Sequence, residues 1–296
     1  MGVQLRNAGI GHESGVDGAS AADVLVTPRA VSHDQNRGAL LMSQLIDIAL
    51  DGAAEALDPA VRPWILGVAH LVDTSSEQDA FDPATIESVL DLASRTVQFP
   101  SGPVGFVAGG YESRPEPDFQ LVTLSSAKAP HLELKIGLGI AGFVAVGLTR
   151  SDVFDDGVTR PAGALLTDME SVIADTYTLS IASALQLGYV GPIDYGFTVA
   201  YDGQGRGLTL YTLDEATGRP VEVVTDGARM APSVGRITYS PEKTLVEAHM
   251  DVYEMARGLL ARYDRTPQLI DLPGLSGDAY DGDPLEAKAP RGQLRP

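Results

Sequence analysis

Between His131 and Arg150 the chain reads HLELKIGLGIAGFVAVGLTR, and the G-L-G-I-A-G within it has the G-x-G-x-x-G spacing of a dinucleotide-binding loop. Such a loop needs a strand before the glycines and a helix after them, because the helix N-terminus supplies the amides that hold the phosphates. The strand is legible here and the helix is not. FVAVGLTR is short, rich in β-branched residues and soon followed by SDVFDDG. Parity gives a better account. Leu132, Leu134, Ile136, Leu138 and Ile140 take the even positions, while Gly137 and Gly139 fall on the less apolar face. The spacing predicts a β-hairpin that turns at Ala141-Gly142. Glycine within a strand weakens it, so a close neighbour is expected on that bare face, either a packed helix or a ligand.

Other residue types that do chemistry are scattered. Ser32-His33-Asp34 holds the three types of a hydrolase triad, but adjacent side chains cannot bond in series, so the stretch reads as an exposed turn. His12, His33, His70, His131 and His249 form no H-x-H or H-x-x-x-H pattern. His70 reads as a core histidine in a buried strand, and His249 as a residue on the face of the last helix. Asp47, Asp51 and Glu55 recur every four residues, which stacks three carboxylates on one helix face. That face is either simply solvated or a docking strip for a basic partner. The carboxylate-rich stretches Ser151 to Arg160 and Gly277 to Pro284 lack the closing Glu of a calcium loop. DGQGRG, Asp202 to Gly207, reads as a hairpin loop, with Arg206 as a weak anchor for a phosphate.

The elements that must position these residues follow from hydrophobic period and capping. Gly38 to Leu57 has a helical stripe at Leu41, Leu45, Ile48, Gly52 and Ala56. Arg62-Pro63 ends it, and Trp64 to Val72 reads as a buried strand. Asp82-Pro83 starts a second helix with core positions Ile86, Val89, Leu90, Ala93 and Val97. Strands are predicted at Val104 to Ala108 and Phe119 to Leu124. A long amphipathic helix is predicted from Pro161 to Leu187, closed by Gly188. Ile193, Tyr195, Phe197, Val199 and Tyr201 then alternate as one strand face, with LTLYTL returning as its hairpin partner. PVEVVT is a further strand, and Ser240-Pro241-Glu242 opens a last helix to about Tyr263.

The whole chain of 296 residues carries 40 Asp and Glu against 21 Lys and Arg, a formal charge of −19. A surface this negative repels nucleic acid and anionic membrane, so a charged partner is expected to be basic. There are no cysteines, which excludes disulfides, thiolate metal sites and a cysteine nucleophile. No apolar run reaches the ~20 residues of a membrane span, and the N-terminus lacks a signal-peptide core. A cytoplasmic protein is the expectation, with no metal and no cofactor.

Taken in order, LDPAVRPWILGVAHLV, HLELKIGLGIAGFVAVGL and a long helix closing on LGYVGPIDYGFTVAY resemble the accessory region of a bacterial family. Its members carry a Schlafen-like, Alba-type DNA-binding domain followed by such an α+β half. The resemblance spans roughly residues 40 to 215 and rests on segment order. Only the short arm precedes the region here, so the resemblance implies a companion module without the nucleic-acid-reading part, and it transfers no functional residue.

The expected fold is α+β, antiparallel β-hairpins packed against helices on one side, with two subdomains divided near 151–160. The expected layout is a flexible arm at 1–36, subdomains at 37–150 and 151–264, and a disordered acidic Pro/Gly-rich tail at 265–296. The expected function is a non-catalytic interaction or regulatory module, docking a basic or DNA-associated protein through acidic faces that include Asp47, Asp51 and Glu55. The alternative is an enzyme or small-ligand-binding protein with its site near Gly137, Gly139, Tyr195, Phe197, Tyr201 and Arg206. The sequence leaves the oligomeric state open.

Overall fold

A computed structural model describes residues 62–72, 83–95, 111–115, 119–124, 132–139, 142–150, 163–201, 208–214, 216–217, 219–223 and 233–270. The arm, the Gly38 to Leu57 helix, the Val104 to Ala108 strand, the DGQGRG loop and residues 271–296 lie outside the described residues.

The fold is α+β, with helices packed against a large antiparallel sheet. Its framework is the pair β4 (Leu132–Gly139) and β5 (Phe143–Arg150), the predicted hairpin. Gly142 in its turn has φ 75°, a left-handed conformation that glycine adopts without strain. On one side β4 pairs with β3 (Phe119–Leu124), which pairs with β2 (Tyr111–Pro115). On the other side β5 pairs with β1 (Trp64–Leu71), then come β7 (Gly191–Ala200) and β10 (Ser233–Tyr239). The seven-stranded order is β10-β7-β1-β5-β4-β3-β2. Strands from before and after 151–160 therefore share one sheet, the five earlier strands side by side and β7 and β10 joined to them through β1. That interval is not a boundary between two sheets.

Two predictions about partners fail in an instructive way. β8 (Thr209–Leu213) does not return along β7. It pairs with β6 (Gly163–Leu165) in parallel and β9 (Pro220–Val223) antiparallel, in a separate three-stranded sheet. DGQGRG therefore links two sheets rather than closing a hairpin. The long helix, α2, spans Leu166–Leu187 rather than starting at Pro161, because Gly163–Leu165 is taken by β6.

α2 is also not amphipathic. It is buried on every side from Leu166 to Ala184, between the large sheet and the layer formed by α1 (Pro83–Arg95), α3 (Leu245–Leu260), β6 and β8. Its polar side chains tolerate this by bonding back to the helix. Thr176, Thr178 and Ser171 each donate to the carbonyl four residues earlier, at 2.6, 2.8 and 3.1 Å. The helix ends as predicted at Gly188, with φ 63°. The Gly188 amide donates to the Leu185 carbonyl and the Tyr189 amide to the Ala184 carbonyl, a Schellman arrangement.

α2 crosses β1 at Gly67. A Cβ there would lie 2.1 Å from Thr176 Oγ1 and 2.9 Å from Val172 Cγ1. Ile65, Ala69, Leu71, Ile136, Val146, Ile193 and Tyr195 share this helix-covered face. Trp64, Leu66 and Val68 form a second buried cluster on the opposite face, with Phe143, Ala145 and Ala200.

α3 begins at the Thr244 N-cap rather than at Ser240, whose Pro241-Glu242 sequel forms a turn. The first residues assigned to the tail are ordered differently from that expectation. Residues 265–270 belong to the body, and Ile270 is fully buried.

Candidate functional site

The sheet register decides whether the predicted ligand-binding residues converge. Gly137 lies opposite Ala145, which lies opposite Val68, then Gly196. Tyr195 lies opposite Ala69, which lies opposite Val144, then Leu138. Neighbouring positions along a strand face opposite ways, so Gly137 and Gly139 point away from α2, whereas Tyr195 and Phe197 point toward it. Both glycines are buried. Tyr201 follows β7 by one residue and is half-buried. The sheet itself separates the two halves of the expected site, so they form no common pocket. Arg206, Asp47, Asp51 and Glu55 lie outside the described residues.

Tyr195 belongs instead to a network beneath α3. Ser180 Oγ donates to the Tyr177 carbonyl at 2.7 Å, which leaves Tyr195 Oη to donate to Ser180 Oγ, also at 2.7 Å. Tyr177 Oη donates to Asp251 Oδ2 at 3.4 Å, and Lys243 forms an ion pair with the same carboxylate. The Tyr177 and Tyr195 rings stack at 6.2 Å. Burial pushes both hydroxyls well above their ordinary value of 10.0, and nearby Asp251 pushes the same way. A tyrosine acting as a base needs the opposite shift. These two are neutral hydrogen-bond donors that fix α2 to β7 and α3.

The buried carboxylates of Asp168 and Glu170 are likewise committed. Arg150 holds Asp168 through two bonds of 2.6 and 2.7 Å, fixing the first turn of α2 to β5. Glu170, fully buried, accepts the backbone amides of Gln268, Leu269 and Ile270 at 2.8 to 3.1 Å. The Gln268 side chain meets Thr212 at 3.1 Å and the Leu213 carbonyl at 3.1 Å, so the chain after α3 is strapped across the small sheet.

One lateral row on the far face of the sheet was not legible as a unit. Arg236, Asp194, His70 and Phe143 are successive register partners across β10, β7, β1 and β5. Arg236 clamps Asp194 through bonds of 2.5 and 2.9 Å, and Asp194 is 4% exposed. The His70 ring stacks on Phe143 at 4.3 Å, 16° from parallel. His70 is thus not a fully buried core residue but a half-buried one beside a carboxylate. Sequence reading missed Arg236 because β10 was not recognised: in SVGRITY the apolar Val234 shares the exposed face with Arg236 and Thr238, which blurs the alternation. On the same face, Arg62 and Lys135 approach the Trp64 ring at 5.7 and 5.1 Å, and both pair with Glu133. His249 is buried in α3.

Among the described residues no group of His, Asp and Glu is placed to hold a metal ion, and no helix is long and apolar enough to cross a membrane. No protein-family model, curated protein or solved structure is significantly similar to this chain.

Proposed function

We propose that this chain is a non-catalytic interaction or regulatory module of a bacterial cytoplasmic protein, docking a basic protein partner through acidic surfaces. One observation carries the reading: three carboxylates buried inside the body are used to hold it together. Asp168 and Asp194 are clamped by arginines and Glu170 by backbone amides. The described residues are close to charge-balanced, so most of the acidic excess lies in the rest of the chain. The resemblance to the accessory half of Schlafen-like proteins suggests a DNA-associated partner.

The test uses the full chain as bait in native bacterial lysate, beside a variant carrying Asp47→Asn, Asp51→Asn and Glu55→Gln. The expected result is a protein retained by the wild type at low salt, released as salt rises, and lost by the variant. Equal retention by both baits, or no enrichment at all, removes the proposal.

A second reading, small-ligand binding, draws on the row Arg236, Asp194, His70 and Phe143, where an aromatic stack adjoins a buried carboxylate held by a half-exposed arginine. A thermal-shift screen should then find a compound that raises the melting temperature of the wild type and not of His70→Ala.

A further inference from the structure

The face of the large sheet turned away from α2 is buried, and the described helices do not account for it. α1, α2 and α3 all contribute to the core on the near face, whereas the second buried cluster holds strand residues alone. Yet Trp64, Leu66 and Val68 are each 1% exposed. Arg62 and Lys135 lie over the Trp64 ring and shield that end. That leaves Leu66 and Val68, farther along β1. The register partners of Leu66 are Gly147 and Thr198, and those of Val68 are Ala145 and Gly196, with Gly137 beyond Ala145. Side chains this short cannot close over a leucine and a valine, so the cover stands above the face rather than within it. The same small residues make a flat seat on which another backbone can approach closely.

We propose that Gly38 to Leu57, the segment ahead of β1 with a helical apolar stripe, is seated on this face and makes the sheet the middle of three layers. The segment lies outside the described residues, and three features of the chain select it. Its stripe of Leu41, Leu45, Ile48, Gly52 and Ala56 supplies the apolar side. A helix of that length runs about 30 Å, enough to cross about six strands set about 4.8 Å apart. It ends at Leu57, and Asp58 to Val61 lead directly into Arg62 and Trp64, at one end of the patch to be covered. Asp47 and Asp51 stand about 100° round such a helix from Ile48 and Gly52, so the seat leaves them outside the contact. The inference stands apart from the docking of a basic partner, because the helix is seated whether or not those carboxylates meet one.

Trp64 is the only tryptophan, so acrylamide quenching of its emission in the full chain reads the cover directly. Leu45→Glu combined with Ile48→Glu forces carboxylates into the seat, and should raise the quenching constant severalfold and shift the emission to the red. Ser43→Glu, on the opposite side of the helix from the stripe, should change neither. A second measurement does not depend on a disruptive variant. A benzophenone side chain placed at Leu45 keeps the position apolar, and on irradiation should join it to peptides of β1, β4 or β5 in the same copy. A stripe variant in which Trp64 stays as shielded as in the wild type overturns the proposal. So do cross-links that fall on α1, α2 or α3, or that miss the sheet altogether. Cross-links between two copies overturn it as well, since the seat would then hold the segment of a second chain.

Discussion

Gly67 sits where β1 passes beneath α2, with no room for a methyl group. The nearest atom to a new Cβ would be Thr176 Oγ1, followed by Val172 Cγ1 and Phe197 Cε1 at 2.9 and 3.0 Å. Gly67→Ala should destabilise the protein by about 1–3 kcal/mol, the range for overpacking a filled core. Adding Thr176→Ala removes the closest atom, whose hydroxyl bonds to the Val172 carbonyl of its own helix. Urea unfolding of both single variants and the double should show the double less destabilised than the sum of its parts. The buried tyrosines make a second prediction at this scale. Tyr177 and Tyr195 have folded values raised above 10.0. Their contribution is fully present below 10.0 and is lost as pH climbs through the raised folded values. Wild-type stability should fall above that pH, and Tyr177→Phe should soften the fall. Equal alkaline loss in wild type and variant would show that these hydroxyls are not its source. Little of this was legible in sequence. WILGVAHLV shows a glycine in a buried strand, but its crowding neighbours lie over a hundred residues away. The amides that satisfy Glu170 lie equally far from it.

Elements were legible where the signal is local. The β4–β5 hairpin followed from parity over eight residues, α1 from Asp82-Pro83, and the end of α2 from Gly188. Errors arose where a competing partner decides. Period two identified β8 as a strand but could not say that it joins β6 instead of β7. The apolar stripe on α2 was real but incomplete, because polar residues that bond back to their own helix look solvent-facing in sequence. α3 shows a local signal outweighed by a better one. Ser240-Pro241-Glu242 resembles a helix start, yet Thr244 accepts the Glu247 amide while Glu247 accepts the Thr244 amide at 2.7 Å, a full capping box. Thr244→Ala should lower stability by about 1 kcal/mol. Glu247 is held below its ordinary 4.5, chiefly by the Thr244 amide. Its contribution is present above the unfolded value and lost as pH falls through the lowered folded one. Acid unfolding of Glu247→Gln should accordingly show a flatter loss on the low-pH side than the wild type.

At the scale of the molecule, one sheet runs through both parts that chain order suggested, its two blocks of strands meeting at the β1–β7 ladder. β7 and β10 come from the second half of the chain, yet β7 is bonded to β1, and α2 is clamped to β5 by Arg150 and Asp168. Neither half can keep its buried face covered if the other unfolds, because α2 lies over strands from the first half while its own amino end carries the strap at 268–270. Such mutual dependence makes local contacts cooperative. Trp64, the only tryptophan, lies at the start of β1 between β5 and β7 and is 1% exposed, so its fluorescence reports on the seam between the halves. Urea unfolding followed by Trp64 fluorescence should coincide with the loss of helical circular dichroism, much of which comes from α2 and α3. Two independent subdomains would give separated midpoints, with the tryptophan reporting on one of them alone. Arg150→Ala leaves Asp168 buried without its guanidinium and should lower both midpoints together by about 3 kcal/mol of stability, rather than splitting them. A split in that variant would place the weakest seam of the molecule at the β5–α2 junction and return the division near 151–160 that the register argues against.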